Sequence, residues 1–196
     1  MQQSLAGLRF EVYDRQSEAR VPFQAALVGL HNVTNILLAS AVAVECGLSL
    51  AEIAARVATL EPSEHRLNIR KLETGALIID DAYSANPVGA LSALEVLKLH
   101  QVGRRIVITP GMVELGPLQD EENERLGTHI AAVASDIILV GIEQTRPLQR
   151  GIAAAGFDPS HLQVVDTFEA ARQWFQAQVG RNDAVLFLND LPDTYL

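Results

Sequence analysis

Three short stretches of this sequence gather the side chains that chemistry needs. The first, Asp80-Asp81-Ala82-Tyr83-Ser84-Ala85-Asn86-Pro87, sets two carboxylates and a phenol just ahead of an Asn-Pro pair. Asn favours the helix N-cap and Pro the first helical position, so these groups should stand beside a helix N-terminus. The second, Pro110-Gly111-Met112-Val113-Glu114-Leu115-Gly116, is a glycine-bounded loop that projects one carboxylate, and the third is Asn189-Asp190-Leu191-Pro192-Asp193. Each composition also suits a plain turn. Taken together they suit oxygen-rich ligands, because carboxylates accept from sugar hydroxyls or contribute to the shell of a magnesium ion. Other chemistries lack their residues. There is no G-x-x-x-x-G-K-[ST] phosphate loop and no G-x-G-x-x-G fingerprint, and the two lysines, Lys71 and Lys98, follow no glycine-rich segment. The G-x-S-x-G elbow of a hydrolase is missing, and the five histidines and one cysteine do not have zinc-site spacing.

Hydrophobic periodicity shows what must position these loops. Short apolar runs read as strands at 67–72, 76–79, 105–109, 137–140, 163–165 and 184–188, with helical patterns between them at 87–99, 121–133, 146–154 and 168–178. Continuous apolar runs such as Ile137-Ile138-Leu139-Val140 belong in strands covered on both faces, so the fold class expected is α/β: a Rossmann-like domain with a mostly parallel sheet over 66–196. All three loops then follow the carboxyl ends of strands, where open α/β sheets bind ligands. Leu126, Ile130 and Val133 should be helix core, and Trp174 and Phe175 should pack the last helix on the sheet.

Residues 1–65 read differently. Strands at 8–13 and 21–28 flank the polar turn 14–18 as a hairpin, and Val33, Ile36, Leu37, Ser40, Ala41 and Val44 recur at helical spacing before Gly47. Ser49 and Glu52 make a capping box for a helix with Leu50, Ile53, Ala54 and Val57 on its apolar face, and 61–64 is the linker. A hairpin without neighbours is marginal in water, so residues 1–60 are expected to be poorly ordered or to pair with a second copy as a homodimer.

Composition narrows the class. A chain of 196 residues with 48% hydrophobic residues fills real cores, and a net charge of −9 without a basic patch disfavours nucleic acid. No apolar stretch is long enough for a bilayer, so no membrane partner is expected. Cys46, alone in an apolar helical stretch, reads as packing; with no disulfide framework and no leader pattern, a cytoplasmic protein is expected.

The strings also resemble a known family when read in order. Gly29-Leu30-His31-Asn32-Val33-Thr34-Asn35 resembles the G-x-H-N-x-x-N element that closes the ATP-binding central domain of Mur ligases, and His65-Arg66-Leu67 resembles the element at the entrance to their third domain. Asp80 to Pro87 looks like the D-D-A-Y-N-A-N-P signature of the MurF type, and Pro110 to Gly116 looks like its G-D-M-x-E-L-G loop. The resemblance implies a split into the end of a central domain at 1–65 and a carboxy-terminal Rossmann-like domain at 66–196. It implies a ligase that joins D-alanyl-D-alanine to a UDP-N-acetylmuramoyl-tripeptide through an acyl phosphate in peptidoglycan synthesis, using ATP and Mg. Asn32 and Asn35 would hold adenine, Arg66 the phosphates and Asp81 the ribose, while Tyr83, Asn86 and Glu114 would lie on the substrate side. No catalytic residue and no metal ligand is implied within this chain.

Plainer roles fit some of these residues: Asn32 also suits a helix cap, Arg66 a solvated surface position, and His31 a structural hydrogen bond. The sequence departs from the family at Thr109-Pro110-Gly111, at Ser84, and at 189–193, where a terminal K-G-S-R is usual. Without a phosphate loop the chain alone is expected to be inactive. Two rival readings are a folylpolyglutamate or cyanophycin synthetase, which share the architecture but not the D-D-A-Y-x-A-N-P string, and a non-catalytic binding module.

Overall fold

The computed structural model describes residues 1–189, in two sheets built on different principles. In the first, strands β1 (Gln2–Ser4), β2 (Gly7–Tyr13) and β3 (Arg20–Ala25) form an antiparallel meander. Along β2 buried and exposed residues alternate, which turns Leu8, Phe10 and Val12 to one face. Helices α1 (His31–Glu45) and α2 (Leu50–Val57) cover that face with Ile36, Leu50, Ile53 and Val57. The hairpin is therefore not left without neighbours, as its sequence suggested. A third strand lengthens it, and two helices bury its apolar side.

Local signals explain the helix ends. The Ser49–Glu52 capping box is present with both of its reciprocal bonds. At the end of α1, Gly47 at φ 91° lets its N–H reach Val44 O at 2.8 Å and the Leu48 N–H reach Ala43 O at 3.1 Å, a Schellman closure. That closure leaves Cys46 exposed at the helix terminus, not packed as its apolar context suggested. The strand expected over 21–28 ends at Ala25, because Val28 turns away to join Leu67 and Ala85 in the other core.

The second sheet carries β4 (Asn68–Lys71), β5 (Leu77–Asp81), β6 (Arg105–Thr109), β7 (Asp136–Val140), β8 (Leu162–Val165) and β9 (Ala184–Leu188), in the order β4-β5-β9-β6-β7-β8. Only β4 runs antiparallel. Helices α3 (Pro87–Lys98), α4 (Gln119–Val133) and α5 (Arg146–Ala154) pack on Ile79, Val107, Ile137 and Leu186, with Leu126, Ile130 and Val133 in that core. The intervening residues Ile78, Ile106, Ile138 and Val185 face α6 (Phe168–Gln178), where Trp174 and Phe175 pack as expected. Both faces are thus covered, which is why the strands read as continuous apolar runs. No helix among the described residues is long and apolar enough to cross a membrane.

Strand order has one consequence for the loops. The last strand, β9, sits between β5 and β6, so Asn189, which follows it, lies between the loops after β5 and β6 at one carboxyl edge.

Candidate functional site

Asn189 ties that edge together. Its N–H donates to Asp81 O at 3.1 Å, its Oδ1 accepts from Ala85 N at 3.1 Å, and its Nδ2 donates to Gly111 O at 2.7 Å. One buried amide thereby fixes the loop after β5 to the loop after β6. The remaining residues of the third stretch, 190–193, lie outside the described residues. A second amide, Asn123 on α4, shapes the loop after β6: it accepts from Met112 N and donates to Met112 O, both at 2.8 Å. Gly111, at φ 87°, permits the approach, since a Cβ there would lie 2.7 Å from Asn123 Oδ1.

Between this edge and the start of α1 lies a cavity of about 500 Å³ whose lining includes His31, Asn32, Asn35, Arg66, Asp81 and Asn86. These side chains come from three separate parts of the chain. Asn32 is not a helix cap: α1 begins at His31, its N-cap Leu30 makes no side-chain bond, and Asn32 sits inside the first turn. Its Nδ2 donates to Val28 O at 2.7 Å and its Oδ1 accepts from Asn35 Nδ2 at 3.2 Å. Each amide keeps a second N–H, and Asn35 keeps its Oδ1, without a partner among the described residues. His31 has a structural bond, Nδ1 to Ser92 Oγ at 3.0 Å, which joins α1 to α3; burial pushes its pKa down.

The turn that delivers Arg66 is strained. His65 and Leu67, neither of them glycine, have φ of 55° and 49°. Three groups from the end of β5 and the loop after it hold this turn. Asp80 accepts His65 Nδ1 at 3.0 Å, Asp81 Oδ1 accepts Leu67 N at 3.1 Å, and the Tyr83 N–H reaches His65 O at 3.2 Å. Asp80 also accepts from Ala82 N at 3.4 Å, so it secures the strand-to-loop turn and does not line the cavity. The Arg66 guanidinium rests 4.3 Å from the centre of the exposed Tyr83 ring.

Asp81 stands apart electrostatically. Burial pushes its carboxyl up to about 6; the Leu67 N–H and the Arg66 charge work against that rise, and Asp80 adds to it. A carboxylate poised this way gains from any ligand that donates hydrogen bonds to it. Asn86 caps α3 through Oδ1 to Gly89 N at 2.9 Å, with Pro87 next, as the sequence implied. Tyr83 and Glu114 are not brought into this cavity; Glu114 lies exposed on the loop after β6 at φ 63°. Sequence reasoning missed Asn123 and the hub role of Asn189, whose partners are backbone groups far away along the chain.

A nucleoside fits the chemistry of this lining: amides for a base edge, a desolvated carboxylate for ribose hydroxyls, and a guanidinium for phosphate. For magnesium the fit is poorer. Among the described residues no three His, Cys, Asp or Glu side chains converge to hold a metal ion.

Fold and cavity together define an α/β protein whose carboxyl-edge cavity is lined in part by a smaller β-sheet unit. Residues 65–189 match the family described as "Mur ligase, glutamate ligase domain", and the chain belongs to the Mur ligase family. It is 31% identical, over 93% of its own length and 39% of the relative's, to a Mycobacterium tuberculosis protein named UDP-N-acetylmuramoyl-tripeptide--D-alanyl-D-alanine ligase. MurF from Acinetobacter baumannii superposes with a TM-score of 0.78 at 22% identity, covering 96% of this chain and 40% of that one. MurF from Thermotoga maritima, solved in complex with ADP, gives 0.76 at 19% identity, covering 94% and 40%. The chain therefore spans about two fifths of the length of these relatives.

Proposed function

We propose that this chain is the nucleotide-clamping and acceptor-side part of an ATP-dependent amide ligase of the MurF type, which adds D-alanyl-D-alanine to UDP-N-acetylmuramoyl-tripeptide in peptidoglycan precursor synthesis. The observation that carries this reading is the convergence of Asn32, Asn35, Arg66 and Asp81 on one cavity from positions up to 49 residues apart. In this reading the end of a central domain is residues 1–65 and the acceptor-binding domain 66–196. ATP supplies the phosphoryl group that activates the substrate carboxylate.

The residues act by binding and orientation. Asn32, held by Val28 O, presents Asn35, and the two amides meet the donors and acceptors of the adenine edge. Asp81 accepts from the ribose hydroxyls, exchanging a costly desolvated charge for charge-assisted bonds. Arg66 reaches the phosphates from its rest position on Tyr83, and Asn86 fixes the first turn of α3 beside them. Magnesium, which needs few protein ligands when phosphates share it, would arrive with the nucleotide.

No glycine-rich loop in these 196 residues grips the β- and γ-phosphates, so the chain by itself should bind ATP weakly and not hydrolyse it. Calorimetry tests this reading. Asp81→Ala should weaken ADP binding by roughly ten- to a hundredfold, the cost of about 1.5 to 3 kcal/mol for a lost charged hydrogen bond. Unchanged ADP affinity in that variant would remove Asp81 from the site.

A homodimer is also proposed, on a specific observation: Leu38 and Val42, one turn apart on α1, are 64% and 65% exposed. Light scattering that finds a monomer at all concentrations would dismiss it.

A further inference from the structure

A groove of about 270 Å³ opens where the end of β2 meets α1 and the start of α2, and it shares no lining residue with the cavity at the carboxyl edge. Its walls are Val12 and Tyr13 from β2, Leu37 and Val44 from α1, and Leu50 from α2. Leu37, Ser40 and Val44 follow at i, i+3 and i+7, so one face of α1 supplies all three. Two groups on that helix each lower the stability of the chain. Ser40 lines the groove at 4% exposure, and its Oγ has no hydrogen-bond partner among the described residues, so a hydroxyl is desolvated without compensation. Glu45 puts a carboxylate on the last residue of α1, at the negative end of the helix, and no basic residue stands in that turn. From the turn after β2, Asp14 adds a second carboxylate, held by the Gln16 N–H at 2.9 Å and the Ser17 N–H at 3.3 Å. Neither carboxylate forms an ion pair among the described residues. Arg20, 4.4 Å from the centre of the Tyr13 ring, is taken by Glu11 at 3.1 Å.

We infer that this groove is a binding site for a small aliphatic amine, an ammonium on a short carbon chain with a hydroxyl at its far end. It stands apart from the ligase reading, since none of its residues lines the nucleotide cavity. An unpaired hydroxyl and an unfavourably placed carboxylate face one hollow, and one kind of ligand satisfies both. The ammonium pairs with Glu45 and Asp14 and completes the helix end as a basic residue would. The carbon chain lies on Leu37, Val44 and Leu50, which suit methylenes. The hydroxyl gives Ser40 Oγ the partner it lacks. Ser40 and Glu45 are five residues apart, about 7.5 Å along a helix axis, which suits a four-carbon chain with a heteroatom at each end. The net charge of −9 draws cations to the chain and turns anions away.

Methyl NMR on the 196-residue chain tests the inference, with 4-amino-1-butanol as the probe. Titration should give saturable shifts at Val12, Leu37, Val44 and Leu50, with a dissociation constant on the order of millimolar for so small a ligand. n-Butylamine, which lacks the hydroxyl, should bind about threefold more weakly, and 4-hydroxybutyrate, with its charge reversed, should not bind. Glu45→Gln, at an exposed position, should weaken both amines at least about fivefold while leaving the chain no less heat-stable than the wild type. Ser40→Ala should erase the advantage of the amino alcohol over n-butylamine and leave n-butylamine affinity unchanged. It should also melt no lower than the wild type, because no hydrogen bond within the chain is lost. Lack of saturation, shifts confined to other methyls, equal binding of 4-hydroxybutyrate, or unchanged amine affinity in Glu45→Gln would each overturn the inference. So would an amino-alcohol advantage that survives Ser40→Ala, or a lower melting temperature in that variant, which would mean that the hydroxyl is already satisfied.

Discussion

Two aspartates at opposite edges of one sheet have opposite fates. At the amino edge, Asp183 accepts from the Arg104 guanidinium at 2.7 Å, Gly180 N at 2.8 Å and Arg104 N at 3.1 Å. Burial works to raise its carboxyl, but the guanidinium and the two N–H groups outweigh that and hold it below the usual carboxylate value. Arg104 also reaches Asp136 at 3.6 Å, and His161 lies 3.2 Å from the same carboxylate. At the carboxyl edge, Asp81 has a single N–H and a carboxyl pushed up to about 6. A satisfied buried carboxylate fastens strands together. An unsatisfied one lowers stability and is kept where a ligand can satisfy it.

The largest effect expected from breaking this contrast is at the fastened edge. Asp183→Ala removes an ion pair and two backbone bonds, and should cost about 3 kcal/mol in urea denaturation while leaving adenosine affinity unchanged. Next comes the stitch across the loops. Asn189→Ala should cost about 2 kcal/mol and speed hydrogen exchange at the Ala85 N–H, its partner at 3.1 Å.

Asp81 itself should behave in the opposite sense. Its folded-state pKa exceeds the ordinary 3.8, so the folded chain holds the extra proton between those values. The stability this group contributes is complete below about pH 4 and is lost as pH rises through about 6, whereas that of Asp183 is present above pH 4 and is lost on acidification. Asp81→Asn should therefore match the wild type at pH 4 and exceed it at pH 7. The gain should be on the order of 1 kcal/mol, discounted because the group is partly in water. Thermal melts across that range check it, and a variant less stable than wild type at pH 7 would contradict the ligand-poised reading. The smallest effect concerns the resting place of Arg66: Tyr83→Ala should change stability by about 0.5 kcal/mol, since an exposed cation–π contact contributes little.

Much of the frame was legible in the sequence because its signals are local. Asn86-Pro87 started α3, Ser49 and Glu52 capped α2, and unbroken apolar runs marked the parallel strands. Strand β1 was not legible, since Gln2-Gln3-Ser4 has no apolar alternation and is recruited by backbone pairing with β2. The position of β9 was hidden for a similar reason: apolar runs specify burial, not neighbours. Asn32, Asn35, Arg66 and Asp81 were candidates because their strings resemble a family, and all four line the one cavity. Asn123 and Asn189 were not, because a turn-favouring or helix-interior amide looks the same in sequence whether it bonds water or a backbone group 78 residues away.

The central claim is that Asp81 is an under-satisfied carboxylate held for ligand hydroxyls, and carboxyl-carbon NMR measures it directly. With the Asp81 side chain labelled, the free chain should titrate near pH 6, and saturating adenosine should move that midpoint down by at least about one unit, because hydroxyl donors favour the ionised form. Adenosine, having no phosphate, keeps phosphate ionisation out of the curve. A midpoint near 4 in the free chain, or one that adenosine leaves unmoved, would contradict the account.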